Sequence, residues 1–325
     1  MSFWKKIFAK DGSSADENTA AVAEQEREEK AKLRNADALK FDGLRLLQAG
    51  YAEPALNYLA RSIELHPEFE SRYYYAEALT RLGRNAEAIE LYQSLAEEAP
   101  EHISLNLALL ALLVAEERYE EAEQRLGIAT ALSLEEAEEA SLRLYEAMLA
   151  AGTAQYERAI VAADRALELR KDMPRAALYK AKSLLQLGRA DEAEAWVESM
   201  RTQFPEEERF PLYAAEAALC QKEPEKAERA LRDAIEIDPF NEEAHLRLAT
   251  LLSGQNRTEE AVSLLKPFVD EERATVRIKQ QLAALYRVQG NESAAEAVEA
   301  TISEDDLAET DGRADFNNLY TGGLY

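Results

Sequence analysis

The sequence predicts an all-α fold in which antiparallel helix pairs are stacked one on the next. Two observations lead there. In 325 residues there are only 12 Gly and 9 Pro, too few for the turns of a large sheet protein. Ala, Leu and Glu dominate instead, and all three are strong helix formers. A block of turn, small Ala, apolar stripe and Pro also recurs at nearly constant spacing. That is the mark of a repeat array rather than of the two separate domains that length alone would suggest.

At the start of the chain, residues 1–10 (MSFWKKIFAK) are basic and aromatic, although the net charge is −25. They lack the apolar run of a secretory signal. On a helix, Phe3, Trp4, Ile7 and Phe8 would share one face and Lys5, Lys6 and Lys10 would lie off it, the pattern of an interfacial helix. Three readings stay open for this amphipathic segment: contact with a membrane surface, contact with a partner or the neighbouring fold, and a frayed end. Residues 11–35 carry many charges and few large apolar side chains. They read as a charged linker, helical toward its end. The longest uncharged run, His102 to Ala115, falls short of the roughly 20 residues of a bilayer span. It is expected to be a buried helix, and no transmembrane segment is expected.

From there the chain repeats. The Ala that follows each turn appears as Ala55, Ala88, Ala122, Ala159, Ala193, Ala227, Ala261 and Ala295, spaced by 33, 34 and 37 residues and then by 34 throughout. A small residue precedes each turn as Gly43, Ala76, Ala181, Ala215, Ala249 and Ala283. Gly50, Gly83, Gly188 and Gly290 mark the turns, and Pro67, Pro100, Pro205 and Pro239 close the units. Leu59, Tyr92, Leu126, Ala163, Val197, Leu231 and Leu265 form the stripe of the second helix. Small residues let two helices approach closely, larger ones fill the space against the next pair, and each Pro stops a helix. Leu110 departs from the small-residue pattern. The fourth unit carries three extra residues, some of them assigned to the turn GTAQYE, so the register of its first helix is uncertain.

About eight such units over residues 36–302 resemble the tetratricopeptide repeat. The resemblance implies a right-handed α-solenoid with first helices lining its concave side and a ligand groove along them. Carried onto this sequence, the groove positions include Tyr74 and Leu107 in the second and third repeats. In the fifth to eighth they include Arg175, Leu178, Tyr179, Lys182, Arg209, Leu212, Tyr213, Leu246, Arg247, Arg277 and Arg287. Tyr74, Tyr179 and Tyr213 recur at one phase, with Phe41 there too, and Leu178, Leu212 and Leu246 stand beside it. They form a ladder for an extended or helical peptide. In the last four repeats six bases face only Glu216 and Glu243, although the chain holds 38 bases and 63 acids. A basic lining favours an acidic segment with apolar anchors. Two plainer readings remain: tyrosines packing between units, and arginines pairing with Glu on neighbouring helices. Lys40 matches one subtype's clamp for a C-terminal carboxylate, but Leu44, Ser104 and Ala108 replace the other clamp residues, so no such clamp is expected.

Residues 303–325 leave the repeat. An acidic stretch precedes Phe316, Tyr320 and Tyr325, and this tail reads either as disordered or as folded back into the basic half of a groove. The chain has one Cys and three scattered His, and no phosphate loop or nucleophile motif, so no enzyme, cofactor or metal site is expected. Its acidity disfavours nucleic acid. The expected function is a non-enzymatic adaptor, cytoplasmic or peripheral at a membrane, that holds a protein partner's segment in its groove. The alternative is a scaffold that self-associates through its ends or tail.

Overall fold

The computed structural model describes residues 12–302, and side chains from residue 24 onward. The candidate contacts Phe3, Trp4, Lys5, Lys6, Ile7 and Phe8 and the tail 303–325 lie outside the described residues. Within them there are sixteen helices and no strand. The stack expected over 36–302 falls into two compact units that divide between Ser133 and Leu134.

In the first unit α1 (Gly12–Gln48) pairs with α2 (Ala52–Leu65), α3 (Phe69–Arg81) with α4 (Asn85–Glu98), and α5 (Ile103–Ala115) with α6 (Tyr119–Thr130). In the second, α7 (Glu136–Gly152) pairs with α8 (Tyr156–Leu169) and α9 (Pro174–Gln186) with α10 (Ala190–Gln203). Next come α11 (Arg209–Cys220) with α12 (Pro224–Ile237), α13 (Glu242–Gly254) with α14 (Thr258–Asp270), and α15 (Val276–Val288) with α16 (Glu292–Glu299). Each unit is a short helical solenoid, three pairs in one and five in the other.

The repeat positions explain the stacking. Ala55, Ala88, Ala122, Ala159, Ala193, Ala227, Ala261 and Ala295 are fully buried. The stripe residues Leu59, Tyr92, Leu126, Ala163, Val197, Leu231 and Leu265 are buried as well. Each such Leu contributes about 1.5–3 kcal/mol through burial. At Gly43 a Cβ would lie 2.7 Å from Leu59 Cγ, so the missing side chain is what leaves room for Leu59 between α1 and α2. Gly83 ends α3 in the left-handed region at φ +72. That conformation lets Arg84 N donate 2.9 Å to Leu79 O and Gly83 N donate 3.0 Å to Thr80 O, closing the helix with bonds a right-handed residue could not make.

Two sequence expectations change. The charged run expected to be a linker is helical from Gly12 onward, continuous with the first repeat helix. Residues 24–35 are exposed, so this stretch owes its helicity to the propensity of Ala, Glu, Lys and Arg, not to an apolar stripe. The extra residues of the fourth repeat are not in its turn. Ala147 is fully buried and precedes Ala159 by the same interval as Ala181 precedes Ala193. The insertion therefore lies ahead of Ala147 and lengthens α7 to 17 residues, against 13 in α9.

Candidate functional site

The longer unit sets five first helices, α7, α9, α11, α13 and α15, in succession along one wall, where α7 meets α9, α9 meets α11 and α13 meets α15. Ala147, Ala181, Ala215, Ala249 and Ala283, all buried, turn the same face of each helix toward its partner helix. Residues two positions earlier therefore share one phase, which adds Tyr145 to Tyr179 and Tyr213. The fixed register of α7 settles that assignment.

Between successive helices the wall carries a row of charges. Glu216 on α11 accepts from Arg247 Nη1 on α13 at 3.3 Å. The Arg247 Nε donates to Glu243 at 2.6 Å, and Glu243 accepts from Arg277 Nη2 on α15 at 3.1 Å. Gln281 of α15 donates to Thr250 Oγ1 of α13 at 2.6 Å, extending the row. Burial raises the Glu216 carboxyl pKa against the attraction of Arg247 and Lys182. Burial acts the same way on Glu243, but the hydrogen bond and charge of Arg247, with Arg277, outweigh it and hold that carboxyl below its ordinary value. Lys182 on α9 is lowered by burial, with Glu216 opposing the shift. The Tyr213 phenol is raised by burial and by the Glu216 charge.

Beside this row opens a cavity of about 550 Å³, whose walls include Arg209, Leu212, Tyr213, Phe240, Arg247 and Arg277. Five of those six are groove positions that the family resemblance implies. Phe240 is not. It sits in the loop between α12 and α13, next to Pro239, which the repeat pattern marks only as a helix stop, and it is 62% exposed. The Arg273 guanidinium stacks over its ring at 4.8 Å, a cation–π contact that holds the loop's aromatic at the cavity rim.

Other expected groove residues are placed differently. Leu178, Tyr179 and Leu246 are buried at 4, 7 and 6% exposure, so they pack between helices and present little surface to a ligand. Arg287 turns away to α16, where it grips both Glu299 oxygens at 2.7 Å and Glu292 at 3.1 Å. Tyr74 and Leu107 belong to the other unit, on α3 and α5, and both are half-buried.

The expected basic lining is also corrected at the cavity. Glu208, Asp238, Glu242 and Glu243 line it together with Arg209, Arg247 and Arg277, so carboxylates outnumber guanidiniums. Arg209 is held by Glu207 at 2.8 Å. On α9, Arg175 Nε is buried with no hydrogen-bond partner among the described residues, and Lys182 is offset only by the charge of Glu216. In the first unit, Lys40 is buried and bonded to Glu68 and to Glu70, the latter at 2.9 Å. It is therefore committed to internal carboxylates.

Among the described residues no three His, Cys, Asp or Glu side chains are grouped to hold a metal ion, and no helix is long and apolar enough to cross a membrane. The arrangement is suited to binding: an apolar and aromatic floor with ion-paired guanidiniums at its edge.

Two sequence models described as tetratricopeptide repeat match the chain, one over residues 148–216 and 218–280 and the other over residues 43–103. Together they take in more than half of it. No curated protein matches the sequence. Among solved structures, a tetratricopeptide repeat protein from Parabacteroides merdae aligns with a TM-score of 0.62 at 16% identity, covering 78% of this chain and 99% of its own. PilW, a type IV pilus biogenesis factor, aligns at 0.59 and 16% identity, covering 67% of this chain and 98% of its own. Pseudomonas aeruginosa PilF aligns at 0.56 and 19% identity, covering 68% and 99%. At these identities the likeness is one of fold.

Proposed function

This chain belongs to the tetratricopeptide repeat family, whose members mediate protein–protein interactions, and we propose that it is a non-catalytic adaptor whose longer unit holds a partner's segment against its first helices. The observation that carries the proposal is the cavity of about 550 Å³. It combines the exposed Phe240 and the half-buried Tyr213, over a buried Leu212, with Arg247 and Arg277. Tyr and Phe supply contact area at low entropic cost, and arginines already paired with glutamates can exchange a surface carboxylate for one brought by a partner. The segment that fits has an aromatic or aliphatic anchor flanked by acidic residues.

The test is to recover partners with the full chain as bait, purify the one recovered and titrate it. Tyr213→Ala and Arg277→Glu are each expected to weaken binding at least about tenfold, the size of an ordinary anchor residue. Unchanged affinity in both variants would overturn the assignment. Light scattering over a concentration series addresses the scaffold alternative, since a monomer at every concentration excludes it. Membrane contact through residues 1–10 forms part of the proposal on sequence grounds. Equal, negligible flotation of the full chain and of a Trp4→Glu, Phe8→Glu variant with anionic liposomes would remove it.

A further inference from the structure

The first-helix wall of the longer unit is unevenly charged once its ion pairs are drawn. Arg247 and Arg277 each hold a carboxylate of the unit. On α9 the situation differs. Arg175 Nη2 lies 3.3 Å from Met148 Sδ on α7, and its Nε is buried with no hydrogen-bond partner among the described residues. Lys182, two turns further along the same face, lies close enough to Glu216 to feel its charge, but burial dominates and lowers its pKa. Half-buried cations without a carboxylate in contact carry a desolvation cost that an incoming anion would relieve. The two sit about 10 Å apart on one helix, at seven residues and 1.5 Å per residue.

An anionic segment is available in the chain itself. Residues 303–325 hold Glu304, Asp305, Asp306, Glu309, Asp311 and Asp315 against the single base Arg313, followed by Phe316, Leu319 and Tyr320. The described residues end at Ile302, just past α16. From there Asp311 is 9 residues on and Asp315 13, about 30 and 40 Å when extended at roughly 3.3 Å each. The first helices from α15 back to α9 are three spacings apart, about 30 Å at 8–10 Å per packed pair. The segment can reach.

We propose that residues 303–325 dock along the first helices of their own unit, with Asp311 and Asp315 meeting Arg175 and Lys182, so that a partner must displace them to bind. The inference rests on the adaptor reading only in requiring that this wall accept an extended segment. Charge complementarity selects the occupant, because this is the acidic segment tethered at the right end of the unit. A tethered occupant needs little intrinsic affinity, since its effective concentration is in the millimolar range.

The chain's single thiol, Cys220, is exposed at the end of α11 and can carry a nitroxide in the otherwise native full-length protein. The expected result is selective bleaching of the amide signals of Asp311 to Tyr320, independent of protein concentration. Asp311→Asn with Asp315→Asn, which alters only the segment, is expected to restore those signals, and Arg175→Glu with Lys182→Glu to restore them equally. Signals that keep full intensity beside the nitroxide would overturn the proposal. So would bleaching that ignores both pairs of substitutions, or bleaching that grows with concentration, which would place the segment on a neighbouring molecule. If the tail signals stay intact while Tyr213→Ala still weakens the partner, this inference falls and the adaptor reading stands.

Discussion

In the unit that ends at Ser133, where Lys40 on α1 bridges to Glu70 on α3, the second repeat is joined to the third through rings. The Tyr73 ring on α3 lies 5.6 Å from Tyr92 on α4 and 5.7 Å from the His102 ring at the start of α5, with Phe69 5.0 Å from the same His102. In the unit that begins at Leu134, the corresponding wall is joined through charges: Glu216 to Arg247 and Glu243 to Arg277, each bridging one first helix to the next. One repeat pattern thus supports two chemistries of cohesion. Rings gain from burial and are indifferent to salt. Ion pairs gain less, respond to salt and pH, and leave a face able to exchange partners. That is why the longer unit is the better candidate for binding.

The greatest loss is expected at the rings. Tyr73→Ala removes a half-buried side chain that touches four other rings, and is expected to cost about 2–4 kcal/mol. Urea unfolding followed by circular dichroism measures it, and the loss should be the same at low salt and in 1 M NaCl, where the Debye length is only about 3 Å. A loss that shrinks with salt would show that charges, not rings, hold this unit as well.

Much of the fold is legible in the sequence because the 34-residue period reports backbone phase. The period alone places Ala181 and Leu231 in the core, and both are buried. The groove positions implied by the family resemblance also pick out Arg209, Leu212, Tyr213, Arg247 and Arg277, which line one cavity. Phase does not report rotamers or partners, however. Arg287 and Arg247 share the same general face in sequence, yet one turns to Glu299 in its own repeat and the other to Glu216 in the preceding one. Phe240 lies in a loop outside the periodic positions, so no phase argument reaches it. The helix over residues 12–35 is hidden for the opposite reason: it has propensity without a stripe, and periodicity detects only stripes.

A smaller effect, with the opposite sensitivity, is expected at the ions. Glu243→Gln removes the carboxylate shared by Arg247 and Arg277 and should cost about 1–3 kcal/mol near neutral pH. The folded state holds the Glu243 pKa below its ordinary value. Its contribution is therefore present above the ordinary carboxylate pKa and lost as pH falls through the lowered one. Glu216, raised by burial, behaves conversely: protonation favours the fold, and its contribution is lost as pH rises. Glu216→Gln should consequently be nearly neutral at pH 7, and the gap between the two variants should close in acid. Equal losses from both at pH 7 would show that the row acts as one unit and not as a strong pair with a strained neighbour.

The least change is expected at the turns inside the repeats, where the two units also differ. In the first unit Gly50 and Gly83 take the left-handed position and only Glu117 departs. In the second, Ala154, Lys222 and Asn256 occupy it, beside Gly188 and Gly290. The helix ends are closed by the same bonds in both cases: Gln155 N donates to Ala150 O at 2.7 Å as Arg189 N does to Leu184 O at 2.9 Å. An Ala at φ +56 keeps that bonding at a steric cost of about 1–2 kcal/mol that glycine escapes. Glycine in turn gives back about 0.4–1 kcal/mol in the unfolded chain. Ala154→Gly should therefore stabilise the longer unit by about 0.5–1 kcal/mol net, and Gly188→Ala should destabilise it by a similar amount. A urea midpoint that rises for the first and falls for the second would locate backbone strain at Ala154 in the longer unit. A fall for both would mean that the helix after Ala154 depends on the methyl group itself, and that the strain is already relieved by packing.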